Sequence, residues 1–252
     1  PSDEFAHLLR QRGIRHLQVA LTAENFAEVL RPLFPEGRGM IVNLSVDVDS
    51  IELMKLAQEI GVQYIDTVVE PWPGFYFGST LPNAERTNYP LRERVRDLGK
   101  AYVGGPTAVS CCGANPGMVS WLLKEALLRL AADTGVAADP RTREGWAGLM
   151  QGLGVKGIHI AERDTQVSAR PKPAGVFVNT WSVDGLLSEG YQPAELGWGT
   201  HEKSLPPQGH AFDHGPGYAI WIDRPGADTR VRSWCPDVGQ QYGLVITHNE
   251  AL

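Results

Sequence analysis

The sequence predicts an α/β fold in two parts: a parallel sheet with covering helices over residues 1–115, and a second, mixed α+β domain with a largely antiparallel sheet over residues 116–252. Three observations predict it. Strand-like and helix-like segments alternate between Ile41 and Val69, and that rhythm builds parallel sheets with right-handed crossovers. Thr107 to Trp121 reads as a short buried strand, a tight turn and the first turn of a long helix. Beyond Gly175, strand candidates are separated by glycine- and proline-rich turns without a long helix, which favours antiparallel pairing.

In chain order, Ser2 caps a helix over Asp3 to Arg12, with Phe5, Leu8 and Leu9 inward and Gly13 at its end. Ile14 to Ala20 is a strand candidate, and Thr22 caps a second helix through Leu30. Ile41 to Val46 is a stronger strand, apolar on both faces until its carboxyl end. A helix follows from about Ser50 to Ile60, apolar at Ile51, Met54, Leu56 and Ala57 and stopped by Gly61; Val62 to Val69 is the next strand. Asn115 precedes a proline and is pushed out of the α region, while Pro116 suits the first helical position. A helix is therefore expected from Pro116 to about Asp133, with Gly113 and Gly117 letting the backbone approach closely in front of it. Arg141 to Leu153 reads as a short helix, Val155 to Ala161 as a strand ending in Glu162-Arg163-Asp164, and Gln166 to Gly175 as a loop. Val176 to Val183, Ala219 to Ile222, Thr229 to Ser233 and Gly243 to Thr247 are the remaining strands.

A nucleotide-binding sheet of this kind opens with a strand and a G-x-G-x-x-G turn, and this sequence does not open with one. The sequence starts directly on a helix and stops just after a strand. It is accordingly expected to lack the first unit of the sheet and the end of the second domain.

The composition excludes several classes. A formal charge of −6 with no basic stripe speaks against nucleic acid. No apolar run approaches the ~20 residues that span a bilayer, and no signal-peptide pattern opens the sequence, so no membrane partner is expected. The cysteines are Cys111, Cys112 and Cys235, an odd number without zinc-like spacing. They read as reduced thiols in a cytoplasmic protein, and no metal is expected.

Ligands of parallel sheets bind at the carboxyl ends of the strands. Asn43, Ser45, Asp47, Asp66, Thr67, Glu70 and Asn115 all fall at or just past such ends, with Asn115 at the mouth of a helix whose free N–H groups point outward. Each residue has a plainer alternative. Glu70, before Pro71-Trp72-Pro73-Gly74, reads as the charge of a rigid loop, and Glu162 and Glu189 as solvated charges. Trp181 shares a face with Phe177 and Val183 and reads as core. His159 reads as a satisfied core histidine, and His248 has no evident partner. No serine or cysteine has a nucleophile elbow.

Taken together, Asp66-Thr67-Val68-Val69-Glu70-Pro71-Trp72, Ser110 to Trp121, Gly157 to Thr165, Val178 to Val183 and Glu195-Leu196-Gly197-Trp198-Gly199-Thr200 form an ordered set. It resembles the bacterial homospermidine synthases, of the saccharopine dehydrogenase-like group, in register from Pro1 to Glu250. The resemblance implies an NAD-binding Rossmann-type domain over 1–115 and a substrate and dimerisation domain over 116–252, in a homodimer. It implies aminobutyl transfer between putrescine molecules, or from spermidine to putrescine. A hydride leaves the carbon bearing an amine for NAD, a second diamine displaces ammonia from the imine, and the hydride returns. The family's diamine groove falls on Asp47, Glu70, Asn115, Glu162, Trp181, Glu189 and His248, and its NAD-facing segments on Asn43, Leu44, Ser45, Thr67 and Asn115. Carboxylates can fix ammonium ends by charge-assisted hydrogen bonds, an indole face can hold a cationic intermediate, and His248 is a candidate proton carrier. One rival is an oxidoreductase of the same group acting on an amino acid or carboxylated polyamine, such as a carboxynorspermidine dehydrogenase. Such an enzyme needs a basic group for the substrate carboxylate. A rival of another class is a non-catalytic polyamine-binding module, which needs no nicotinamide.

Overall fold

The computed structural model describes residues 3–76, 80–158, 160, 165–176, 178, 182–235 and 238–245. Three parallel strands, β1 (Met40–Asn43), β2 (Gln63–Asp66) and β3 (Ala108–Val109), lie side by side in that order, with Val42 opposite Ile65 and Ile65 opposite Val109. Between β1 and β2 runs α3 (Ser50–Ile60), preceded in the chain by α1 (Asp3–Gln11) and α2 (Phe26–Leu30). α3 has the bounds its sequence predicts because both ends are encoded. Asp49 accepts the Glu52 N–H at 2.9 Å, and Gly61, at φ 74°, closes the last turn onto Ala57 and Gln58.

The first core joins Ile41, Val48, Leu53, Met54, Ala57, Val62 and Tyr64. Against it pack Phe26, Leu30, Phe34 and Trp72, and also Val95 and Leu98 of α4 (Asn88–Ala101). α4 is the crossover from β2 to β3, and no helix is expected there from the sequence. Its apolar residues are diluted by Arg92, Glu93, Arg94 and Arg96, and Pro90 stands in its first turn, where a missing N–H costs nothing.

Several expectations are corrected. Phe5 and Leu8 of α1 are exposed rather than inward. Residues 14–20 form no strand, since no described strand lies beyond β1 to pair with them. The second helix starts at Phe26, not after Thr22, because the Asn25 carboxamide accepts the Thr22 N–H and closes a turn first. The parallel sheet is buried on one face only: Met40, Val42 and Val109 on the other are 50%, 56% and 41% exposed. Pro116 does not open the long helix. The Asn115–Pro116 bond is cis, residues 113–117 close on themselves, and α5 (Met118–Thr134) begins after Gly117. Gly117, at φ 132°, admits no side chain: a Cβ would stand 2.3 Å from the Gly113 carbonyl oxygen.

α5 pairs with α6 (Arg143–Gly152) through Leu127, Ala131 and Leu149. Residues 155–158 are irregular rather than extended in a sheet. Val183 does not end a strand but begins α7 (Val183–Tyr191), capped by the Ser182 hydroxyl, which accepts the Gly185 N–H at 3.0 Å. The second sheet is antiparallel, in the order β4 (Pro193–Gly197), β6 (Ala219–Pro225), β5 (Gly209–Ala211). A hairpin of β7 (Arg230–Cys235) and β8 (Gly239–Leu244) follows.

The two sheets are tied through α4. The buried Glu195 of β4 accepts the Tyr89 N–H at 2.9 Å and faces Arg92 at 3.6 Å. The Tyr89 ring stacks on Phe212 at 4.1 Å, and its hydroxyl donates to the His214 carbonyl at 2.8 Å. The Tyr218 hydroxyl donates to Glu93 at 2.8 Å.

Asp66, at the end of β2, is 1% exposed. Its carboxyl accepts from the Tyr64 hydroxyl at 2.9 Å, the Ser110 hydroxyl at 3.0 Å and the Cys111 N–H at 2.7 Å. Removing an acceptor strands each buried donor. Asp66→Ala should therefore lower unfolding stability by about 3 kcal/mol, with Asp66→Asn costing less. Urea titration measures both, and an unchanged midpoint in the alanine variant would contradict this account.

Candidate functional site

Above the carboxyl ends of β1 and β2, and under α7, lies a cavity of about 660 Å³, a size that suits a small molecule. Residues 46–47, 67–76 and 113–116 form three of its walls. Asn88 of α4 and Asp184, Gly185, Ser188 and Glu189 of α7 complete it. Asp184 and Ser188 stand four residues apart and so share a helix face.

Backbone constraints aim the acids. Ser50, the first residue of α3, is fully buried; its N–H donates to the Glu70 carbonyl at 2.7 Å, and its hydroxyl accepts the Glu70 N–H at 3.0 Å. Glu70 is thereby fixed at the start of its loop. Asp47 adopts φ 61°, a left-handed conformation that Asp tolerates better than most residues. Burial pushes the Glu70 carboxyl up to about 7, and the nearby charges of Asp47 and Asp66 push the same way; the Asp47 N–H opposes them in part. A carboxyl that titrates near neutrality can both hold and release a proton there.

Tyr76 lines the cavity, and its hydroxyl donates to Asn88 Oδ1 at 3.1 Å. Burial, followed by the charges of Glu70, Glu189 and Glu195, holds its phenol well above the usual range, so it is neutral. Asn115 Oδ1 is buried in the cavity wall and has no hydrogen-bond partner among the described residues. A polar atom left in that condition is a vacancy for an incoming N–H.

The structure thus brings Asp47, Thr67, Glu70, Asn115 and Glu189 to one cavity. Asn43, Leu44 and Ser45 stand beside it and do not line it. The Asn43 side chain, 6% exposed, donates to the Tyr64 hydroxyl and accepts the Ser45 N–H, while Leu44 and Ser45 are exposed. His159, Glu162, Trp181 and His248 lie outside the described residues. Tyr76, Asn88, Asp184 and Ser188 are cavity residues that sequence reasoning missed. The Ser182 cap with its helical spacing to Asp184 and Ser188 was the available signal for α7. Asn88 depended on recognising α4. Among the described residues no lysine or arginine lines the cavity, and no cluster has the composition of a metal site.

Comparison with known proteins shows two family models matching the chain. Residues 1–109 match the family model for the saccharopine dehydrogenase NADP binding domain, and residues 113–252 that for the saccharopine dehydrogenase C-terminal domain. The chain is 57% identical over 257 residues to a homospermidine synthase of Mesorhizobium japonicum and 57% identical over 255 residues to one of Blastochloris viridis. All of this chain is covered in both matches, but only 53% and 54% of those proteins, so it spans about half their length. A crystal structure of the homospermidine synthase of Legionella pneumophila in complex with NAD superposes with a TM-score of 0.77 at 40% identity. That match covers 96% of this chain and 50% of the other.

The Glu70 carboxyl has a defined linkage to stability. Its affinity for a proton rises on folding, from an ordinary 4.5 to about 7. Its contribution is fully present below pH 4.5 and is lost as pH rises through about 7. Relative to Glu70→Gln, the unsubstituted chain should lose stability across that window. Thermal melts of both at pH 4.5, 6 and 8 measure the difference, and a constant gap would refute it.

Proposed function

Because the chain belongs to the saccharopine dehydrogenase family, we propose that it carries the diamine-binding face of a homospermidine synthase. The whole protein then transfers an aminobutyl group from one putrescine, or from spermidine, to a second putrescine and releases ammonia. One observation carries this reading: Asp47, Glu70, Asp184 and Glu189 line one cavity with no lysine or arginine among its described lining residues. A diamine brings two positive charges and no negative one. The acids match it, whereas a substrate bearing a carboxylate would meet repulsion. The same observation disfavours an oxidoreductase of carboxylated polyamines.

The residues fit a nicotinamide cofactor at the strand ends. The unpartnered Asn115 Oδ1 suits a carboxamide or amine N–H, Thr67 stands beside it in the wall, and Asn43, Leu44 and Ser45 shape the neighbouring edge. NAD, when bound, would supply a reversible hydride acceptor. A non-catalytic polyamine-binding module would use the acids alone and leave these strand ends without a role.

The remaining chemistry belongs to the side chains. Asp47 and Glu70 hold one ammonium, and Asp184 and Glu189 hold the other by charge-assisted hydrogen bonds. Glu70, titrating near 7, accepts the proton that an amine must lose before its nitrogen can attack or its carbon can give up hydride. Glu162, Trp181 and His248 join the groove through family resemblance, with Trp181 facing a cationic intermediate and His248 carrying protons. Residues 1–115 serve the cofactor and 116–252 the substrate and a homodimer contact. No helix among the described residues is long and apolar enough to cross a membrane, and the setting we propose is cytoplasmic.

Calorimetric titration of the chain with putrescine tests the reading. Binding should strengthen about tenfold from pH 6 to pH 8 as Glu70 ionises, and the Glu70→Gln variant should bind weakly without that rise. Tighter binding of a carboxylated amine than of putrescine would sink the proposal.

A further inference from the structure

We propose that Tyr76 is a further contact for the bound diamine, its phenol oxygen accepting an amine N–H while its own hydrogen is held by Asn88. This inference rests on the diamine reading of the cavity and adds a residue that the acids do not account for.

The position of the ring is fixed before any ligand arrives. Phe75 meets it edge to face at 5.0 Å, and Arg86 donates to the Tyr76 carbonyl at 2.9 Å. Asn88, only 3% exposed, is the first residue of α4 and adjoins Tyr89, whose N–H is held by Glu195. The residue that receives the phenol hydrogen is therefore held beside the antiparallel sheet. A phenol has one hydrogen and two lone pairs. With the hydrogen directed to Asn88 Oδ1 at 3.1 Å, what remains for the cavity is an acceptor.

The charged groups around the phenol keep it in that state. Glu70 approaches from the β2 loop, Glu189 from α7 and Glu195, with its partner Arg92, from β4. Burial first, and then these three acids, discourage phenolate formation, so the hydroxyl stays neutral around neutral pH. Tyr76 thus differs from Glu70. It offers an oxygen whose accepting power does not change near neutrality. Asn88 acts as a positioning residue, fixing which way the hydroxyl points.

Titration of the chain with putrescine separates this role from packing. Tyr76→Phe keeps the ring and should bind about tenfold more weakly, the factor for a hydrogen bond to a charged group, and equally so at pH 6 and pH 8. Its melting temperature should stay within about 3 °C. Asn88→Asp still accepts the phenol hydrogen and should bind at least as tightly as the unsubstituted chain. Asn88→Leu should match the Tyr76→Phe loss. Undiminished binding by Tyr76→Phe overturns the contact while leaving the diamine reading intact. A Tyr76→Phe loss that appears only at pH 8 also overturns it, because the oxygen would then act through Glu70. Absence of putrescine binding by the unsubstituted chain overturns both.

Discussion

A buried carboxyl group governs the sheet edge that borders the cavity. Asp66 is removed from water at the end of the middle strand, which burial alone makes unfavourable for its charge. Its carboxyl reaches Tyr64 on its own strand and Ser110 and Cys111 beyond β3, and its carbonyl accepts the Cys112 N–H at 2.9 Å. Tyr64 in turn receives Asn43 from the end of β1. The ends of three strands are therefore joined by polar bonds, although β3 itself is only two residues long. The 113–117 turn, and with it Asn115, is set by that junction.

The other wall of the cavity depends on a different buried acid. Glu195 holds the start of α4 against the antiparallel sheet, and the Tyr89–Phe212 stack seals the contact. Truncating one partner of such a pair leaves the other charge buried alone, a cost of about 3–5 kcal/mol. Both Asn88 and, through Tyr76, the loop from Glu70 onward are registered to that contact. The acids contributed by the strand ends and those contributed by α7 stand opposite each other because α4 docks correctly.

What could be read from the sequence follows how each element is encoded. α3 carries its own cap and stop, Asp49 and Gly61, and its extent was legible from its apolar spacing and Gly61. α4 was not legible, because its helical face is defined by what it docks against and not by an apolar stripe. Val183 shares strand-like alternation with Phe177 and Trp181 in the sequence, yet the Ser182 hydroxyl caps a helix that begins at Val183. Residues 14–20 were a strand candidate as well, but a strand exists only with a ladder partner. For the site, the strand-end rule located Asp47, Thr67, Glu70 and Asn115. Glu189 came from family resemblance alone, since nothing local marks it as facing a cavity. Asn43 sits at the right strand end, but its carboxamide is turned into the Asp66 network.

The acids of the cavity are graded in depth: Asp47 and Asp184 are exposed, whereas Glu70 and Glu189 are partly buried. Charges open to solvent act at a distance and are screened by ions, with a Debye length of about 8 Å at physiological ionic strength. Those withdrawn from solvent act at contact and are screened far less. For the dication proposed as ligand, arrival and residence would then be controlled by different residues. Added salt should slow its association through the outer acids while leaving the lifetime of the bound state, set by the inner ones, nearly unchanged.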